Sequence, residues 1–296
     1  MMHKQLNTIR GRNAMHKVRL GQIFLHLIIV ILLVLVLFPF YILLINSVKL
    51  PSDILLHPFA LPGTASVPML LSGYGVAWGY IKNYLLNTVI VAACEIFGVL
   101  LFSSVAAYGF TRFRFIGRNI IFTLFLAFMM VPGILTLAPS YAMVYNSFGL
   151  GQSLWGVIIP AVSGSLPVSV FLLRTFFVGI PDGIFEAAEI DGASHFRRYI
   201  TLAIPLSLPI LFTIGLTTLL SAWNDIIWAR LILYGKDILY TISVGVFVNF
   251  NSASNPSITD TVIYAGYVIA SLPLVIAFMF TSKQFITGLT TGAIKM

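Results

Sequence analysis

The sequence predicts an all-α integral membrane protein with six transmembrane helices and both termini in the cytoplasm. Three observations predict it. The 296-residue chain is 59% hydrophobic and 9% charged, with a mean hydropathy of +0.99, whereas about a quarter of a soluble chain is charged. Apolar stretches long enough to cross a bilayer, about 20 residues, occur six times. Lys and Arg fall unevenly between them, with 13 of 17 on the two tails and alternate loops, which the positive-inside rule assigns to the cytoplasm.

The expected spans are 23–47, 84–108, 120–141, 154–174, 206–234 and 261–281, within a single transmembrane domain covering 1–296. The first follows a basic stretch from Lys4 to Arg19. It is too long for a signal-peptide core and lacks a small-residue cleavage site, so it reads as an uncleaved span. The third is interrupted by Pro132 and Gly133, and the fifth carries Pro209 and Gly215 near its start. Cytoplasmic cations also include Arg112, Arg114, Arg118, Arg174, Arg197, Arg198, Lys283 and Lys295. Lys49, Lys82, Arg230 and Lys236 lie on the opposite face. Residues 50–82 are rich in Pro and Gly and are expected to form an ordered external loop with at most a short amphipathic piece. Residues 249–260 read as a polar external loop. The net charge of +8 reports topology and anionic headgroups rather than nucleic acid, for which no motif is present. Cys94 is the sole cysteine. It excludes an internal disulfide and a multi-cysteine metal site, and reads as a small buried apolar residue.

One short segment breaks the apolar pattern. "EAAEIDGASHFRRYITLAIPLSLP", Glu186 to Pro209, gathers Glu186, Glu189, Asp191, Arg197 and Arg198 between two apolar stretches. Asp182 is placed to cap a short helix, with Glu186 and Glu189 in its first turns, where they suit the dipole. Gly192 stands where a left-handed residue ends such a helix. Ser194 can cap a second helix running toward Pro205. The product is a slim cytoplasmic hairpin with charges at its rim. On charge alone it is equally a docking knob or a solvated loop kept out of lipid.

The segment resembles the cytoplasmic "EAA" loop of ABC-importer permeases. The matching positions are Glu186, Ala187, Ala188, Asp191, Gly192 and Ala193, then Leu202-Ala203-Ile204-Pro205 and Pro209. Three further stretches resemble the carbohydrate-uptake branch, with its maltose-permease G-type subunits. They are "AWND" at 222–225, "NYLLNTVIV" at 83–91 and the tail "QFITGLTTGAIKM". The resemblance covers most of the chain. It implies a type I ABC-importer permease fold in a bacterial inner membrane, with no catalytic role. It implies a second homologous permease subunit, two ATPase subunits, an extracytoplasmic substrate-binding protein and an oligosaccharide substrate. ATP and magnesium would sit in the ATPase subunits, with no cofactor on this chain. It implies that the loop at about 181–205, with Glu186, Ala187, Ala188, Asp191, Gly192, Ala193 and Phe196, contacts the ATPase. The tail residues Gly288, Thr291, Gly292 and Lys295 would reach toward the ATPase dimer.

Other candidate chemistry is thinner. "GLTTGAIK" lacks the Gly-Lys-Ser/Thr ending of a phosphate loop. Glu95 inside the second span is read as a proton or cation site, a partner across a subunit interface, or a protonated hydrogen-bonding group. His26 reads as interfacial. Trp223, Asn224, Asp225 and Arg230 are candidates for the substrate path. Arg230 stands where sugar permeases usually carry an apolar residue. It presents charge to an anionic sugar such as a uronate oligosaccharide, pairs with Asp225, or snorkels to the outer surface. Trp223, Trp228, Tyr234 and Tyr240 suggest sugar stacking or an interfacial aromatic belt. The alternatives are an ion-coupled transporter using Glu95, or the same ABC machine carrying a non-sugar solute.

Overall fold

The computed structural model describes the backbone of residues 2–63, 67–250 and 257–293, and the side chains of 22–63, 72–250 and 257–282. Among the described residues all regular structure is helical. The helices are α1 (Met2–Asn46), α2 (Pro51–Leu56), α3 (Val67–Arg112), α4 (Arg118–Met129), α5 (Gly133–Ala142), α6 (Leu154–Val178), α7 (Asp182–Ile190), α8 (His195–Arg198), α9 (Ile204–Leu206), α10 (Leu208–Asn224), α11 (Ile227–Leu233), α12 (Ile242–Asn249) and α13 (Asp260–Ala293). Wider π-turns extend α5 over Met143–Ser147 and join α8 to α9 over Tyr199–Ala203.

Four stretches are long and apolar enough to cross a membrane alone: Gln22–Asn46, Ser72–Arg112, Leu154–Val178 and Asp260–Ser282. The count reaches six when two bent pairs each count as one span: Arg118–Met129 with Gly133–Ser147, bent by 98°, and His195–Leu206 with Leu208–Asn224, bent by 74°. The first bend falls at Pro132, whose extended backbone (φ −62°, ψ 125°) precedes α5, as the Pro-Gly pair predicts. The second falls at Ser207, between Pro205 and Pro209, where the serine hydroxyl donates to the Ala203 carbonyl at 2.7 Å. The fifth span therefore does not run unbroken from 206 to 234, since α10 stops at Asn224 and α11 starts afresh at Ile227.

The region 67–82, expected to be loop, is the start of α3. Pro68 sits in the first turn, where its missing N–H costs nothing, and the aromatic and apolar residues that follow carry the helix onward despite three glycines. At 46 residues and 1.5 Å per residue, α3 is about 69 Å long, more than twice the roughly 30 Å hydrocarbon core. It must project from the membrane.

Two units are distinguished, residues 1–76 with 259–268, and 77–258 with 269–296. In the first, α1 exposes apolar side chains around its whole circumference from Ile23 to Phe40, the pattern of a helix solvated by lipid. Lys49 is only 1% exposed. Its ammonium donates to the carbonyls of His57 at 2.9 Å and Pro58 at 3.2 Å, and Thr261 donates to its own carbonyl at 2.6 Å. The cation expected on the outer surface is thus spent on tying the segment after α1.

The second unit has two apolar cores. One joins Val99, Tyr108 and Phe110 of α3 with Phe122 of α4, Leu173 and Phe177 of α6, Phe185 of α7 and Ile214 of α10. The other joins Val91 of α3 with Val157 of α6, Ala222 of α10, Ala229 and Ile232 of α11, and Val244 of α12. Cys94 is half-buried beside this second core rather than fully inside it.

Candidate functional site

The EAA segment folds as the expected helix–turn–helix, with two revisions. Pro181, not Asp182, occupies the capping position of α7. Asp182 is the first helical residue and forms an ion pair with Arg112. Glu189 lies in the last turn rather than the first, and turns back to Arg198, whose guanidinium donates to it at 2.7 Å. That pair offsets the unfavourable position of a carboxylate near a helix C-terminus.

The glycine turn is a Schellman closure. Gly192 has φ +77°. Its N–H donates to the Glu189 carbonyl at 2.9 Å, and the Ala193 N–H donates to the Ala188 carbonyl at 2.9 Å. A residue with a Cβ pays roughly 1–2 kcal/mol in this left-handed conformation. Ser194 then caps α8, accepting from the Arg197 N–H at 3.3 Å.

The hairpin is fixed to the end of α3. Arg112 pairs with Asp182, donates to the carbonyls of Phe177 and Ile180, both at 3.4 Å, and places its guanidinium 3.7 Å from the centre of the Phe185 ring. Phe185 is 4% exposed, so it is the apolar plug of α7. Tyr108 donates to the His195 carbonyl at 3.2 Å, and the Ser104 and Tyr199 hydroxyls stand 2.7 Å apart. The His195 ring rests on Phe113 at 4.7 Å between centres.

What these anchors leave outside is the other side of the hairpin. Glu186, Ala187, Asp191 and Gly192 are exposed, and Ala188 and Ala193 are half-buried. Ile190 is 87% exposed and Phe196 72% exposed. Two large apolar groups beside carboxylates that have no ion-pair partner among the described residues, held on an anchored base, form an apolar centre with a charged rim, the anatomy of a protein interface. Sequence reasoning missed Ile190 on this surface and missed Arg112, Tyr108 and Phe185 as its foundation. In the tail, Gly288, Thr291 and Gly292 lie on the backbone of α13, and Lys295 lies outside the described residues.

At the other end of this unit, the substrate-path candidates separate. Trp223 is 6% exposed, and its carbonyl accepts from the Ser243 hydroxyl. Asn224 donates to the Leu220 carbonyl at 2.8 Å. Asp225 accepts from the Trp228 and Ala229 N–H groups at 3.1 and 3.2 Å, satisfying the first turn of α11. These three therefore shape the break between α10 and α11. Asp225 does not pair with Arg230. Nor do the aromatics form a belt: Tyr240 is buried with Trp223, and the Trp228 indole donates to the Gly156 carbonyl at 3.1 Å. Of the four, only Tyr234 is exposed. The "NT" pair of the second span also has a job. Asn87 donates to the carbonyls of Ile238 and Tyr240 at 2.8 and 3.0 Å, and Thr88 accepts from the Ile242 N–H at 2.7 Å, sewing α3 to the entry of α12.

Arg230 instead lines a groove of about 700 Å³ with Leu137, Tyr141, Ile227, Tyr234 and Phe247. Glu95 is 3% exposed within this chain alone, so it is not offered across a subunit interface. His26 is exposed, its ring nitrogen 2.6 Å from the Gln22 carbonyl.

Fold and hairpin together define a multi-span helical membrane protein with a charged helical hairpin set between two apolar segments. Residues 99–287 match the family described as "Binding-protein-dependent transport system inner membrane component", and the chain belongs to that family. It is an ABC-importer permease, a transporting rather than catalytic subunit of the inner membrane, whose working partners are an ATPase and a substrate-binding protein. It is 31% identical to the probable ABC transporter permease protein YurM of Bacillus subtilis (strain 168), over 89% of this chain and 85% of the relative. It is also 31% identical to the arabinooligosaccharides transport system permease protein AraQ of the same organism, over 93% and 96%. The maltodextrin transport system permease protein MdxG, again of B. subtilis, is 30% identical over 72% and 75%. Among solved structures, a chain of a bacterial ABC transporter involved in the import of the acidic polysaccharide alginate shares the fold, with a TM-score of 0.77 at 22% identity over 90% of this chain and 97% of that one. The family leaves no place for the ion-coupled carrier.

Proposed function

We propose that this chain pairs with a second, homologous permease subunit, that the pair encloses a path for an oligosaccharide, and that two ATPase subunits bearing ATP and magnesium drive alternating access through the α7–α8 hairpin. The observation that carries the reading is the division of the hairpin into an anchored side and a bare side. Phe185, Arg198 and Asp182 face α3 or the hairpin's own base. Glu186, Ile190, Asp191 and Phe196 face outward on the water-facing end. A partner gripping the bare side moves α3 directly, because Arg112 ties the two together. The names of the relatives, arabinooligosaccharide and maltodextrin permeases, support an oligosaccharide over other solutes. Gly288, Thr291, Gly292 and Lys295 are a second contact for the ATPase dimer in the same reading.

The test is the intact complex, purified through a tag on this chain and reconstituted in proteoliposomes. Glu186→Ala is expected to reduce substrate-stimulated ATP hydrolysis about tenfold or more, the cost of one charge-assisted contact at an interface. Full stimulation in the variant removes Glu186 from the coupling role.

A further inference from the structure

We infer that the groove between α5, α11 and α12 recognises a carboxylate-bearing sugar, with Arg230 reading the carboxylate, so that the cargo class is an acidic (uronate) oligosaccharide. The inference rests on the oligosaccharide-importer reading and specifies its substrate.

The groove is lined by Leu137, Tyr141, Ile226, Ile227, Arg230, Leu231, Tyr234 and Phe247. Among the described residues its single charge is positive, and no carboxylate lines it. The Arg230 guanidinium stands 5.2 Å from the centre of the Phe247 ring, which steers it along the groove wall. Among the described residues the ion pairs are Arg112–Asp182 and Arg198–Glu189, so Arg230 has no ion-pair partner among them. The nearest acid in sequence, Asp225, is committed to the backbone of α11. An exposed guanidinium with no ion-pair partner among the described residues, standing beside apolar walls, is free to take a ligand's carboxylate.

The rest of the lining suits a sugar ring. Tyr141 lies stacked with Tyr145, ring centres 5.2 Å apart, and Tyr234 and Phe247 present exposed rings. Flat aromatic faces accept the C–H faces of pyranose rings while their edges stay open to hydroxyl groups. At about 700 Å³ the groove falls within the roughly 300–1,000 Å³ of small-molecule sites. A guanidinium there pairs bidentately with a planar carboxylate, and a neutral hydroxyl cannot reproduce that fork. The groove therefore separates acidic from neutral sugars by charge and not by size.

The experiment uses the intact complex in proteoliposomes and three probes of one length: a uronate oligosaccharide, its methyl ester and a neutral oligosaccharide. The wild type is expected to import the acid and to favour it over the ester about tenfold or more, since the ester removes the charge while adding one methyl group and leaving the ring and its hydroxyls unchanged. Arg230→Met is expected to erase that preference, and Arg230→Lys to restore part of it. Acid–ester competition in the wild type carries the test even where a variant does not assemble. Import of the neutral sugar without the acid, or an unchanged acid preference in Arg230→Met, overturns the inference and leaves the oligosaccharide reading intact. Import of none of the three overturns both.

Discussion

Glycines decide two contacts here, for different reasons. Gly192 is needed for its dihedral angle, and Gly156 for its lack of a side chain. A Cβ on Gly156 would stand 2.2 Å from the Leu150 carbonyl oxygen and 2.9 Å from Ile232. The first neighbour is backbone and cannot rotate away. Gly156→Ala is therefore expected to cost about 1–3 kcal/mol, as overpacking does, and to break the Trp228 indole bond to the Gly156 carbonyl. Thermal unfolding of the detergent-solubilised complex measures it, and an unchanged midpoint would contradict the close approach. At this scale the sequence was partly legible. The turn at Gly192 could be read because only glycine suits that place between Asp191 and Ala193. Gly156 could not be read, since nothing local signals that Leu150 folds back onto it. Arg230 was legible as an anomaly. Its freedom from Asp225 was not, because the carboxylate's capping role depends on where α10 stops.

Helices act in this protein as pairs, and in the proposed mechanism the pairing of α3 with the hairpin is the one that transmits motion. Arg112 makes four contacts with the hairpin and its approach: an ion pair, two carbonyl bonds and a ring contact. Asp182 is largely exposed, so the ion pair itself contributes little. The carbonyl bonds and the buried Phe185 carry more. Arg112→Ala is expected to destabilise the chain by only about 1–2 kcal/mol, yet to cut substrate-stimulated ATP hydrolysis several-fold while the ATPase still co-purifies, with Arg112→Lys recovering part. Loss of ATPase association in Arg112→Ala would mean that the residue builds the docking surface instead of linking it to α3. None of this was visible in the sequence, because Arg112 lies 70 residues from Asp182. The bend at Pro132 was visible, since proline acts locally. The start of α3 at Val67 was hidden by the opposite error: prolines and glycines that look like loop punctuation sit at a helix's first turn or on its open face.

Across the whole molecule, the six apolar stretches fall on four long helices and two bent helix pairs, and the sequence showed the bend at Pro132 but neither the break after Asn224 nor the length of α3. Orientation follows from charge alone, and it can be checked because Cys94 is the only cysteine. In a Cys94→Ala background, Ile190→Cys is expected to react with a membrane-impermeant maleimide only from the cytoplasmic face, and Tyr234→Cys only from the outer face. Reaction of both from one side would invert or refute the topology. Lys49 was counted as an outer cation although it is not a surface group, and the two are compatible. The rule counts charges near span ends during insertion, and burial comes afterward.

The bare side of the hairpin has a consequence for the life of the protein before assembly. A copy made without its ATPase would hold Ile190 and Phe196 in water on a rigid stalk, where unpaired apolar groups invite aggregation or capture by quality-control machinery. In the proposed assembly the ATPase covers them, and that liability disappears. On the proposed docking, the same few side chains that receive force in the finished transporter would act as a census of stoichiometry, exposing surplus subunits to removal and shielding those that have found their place.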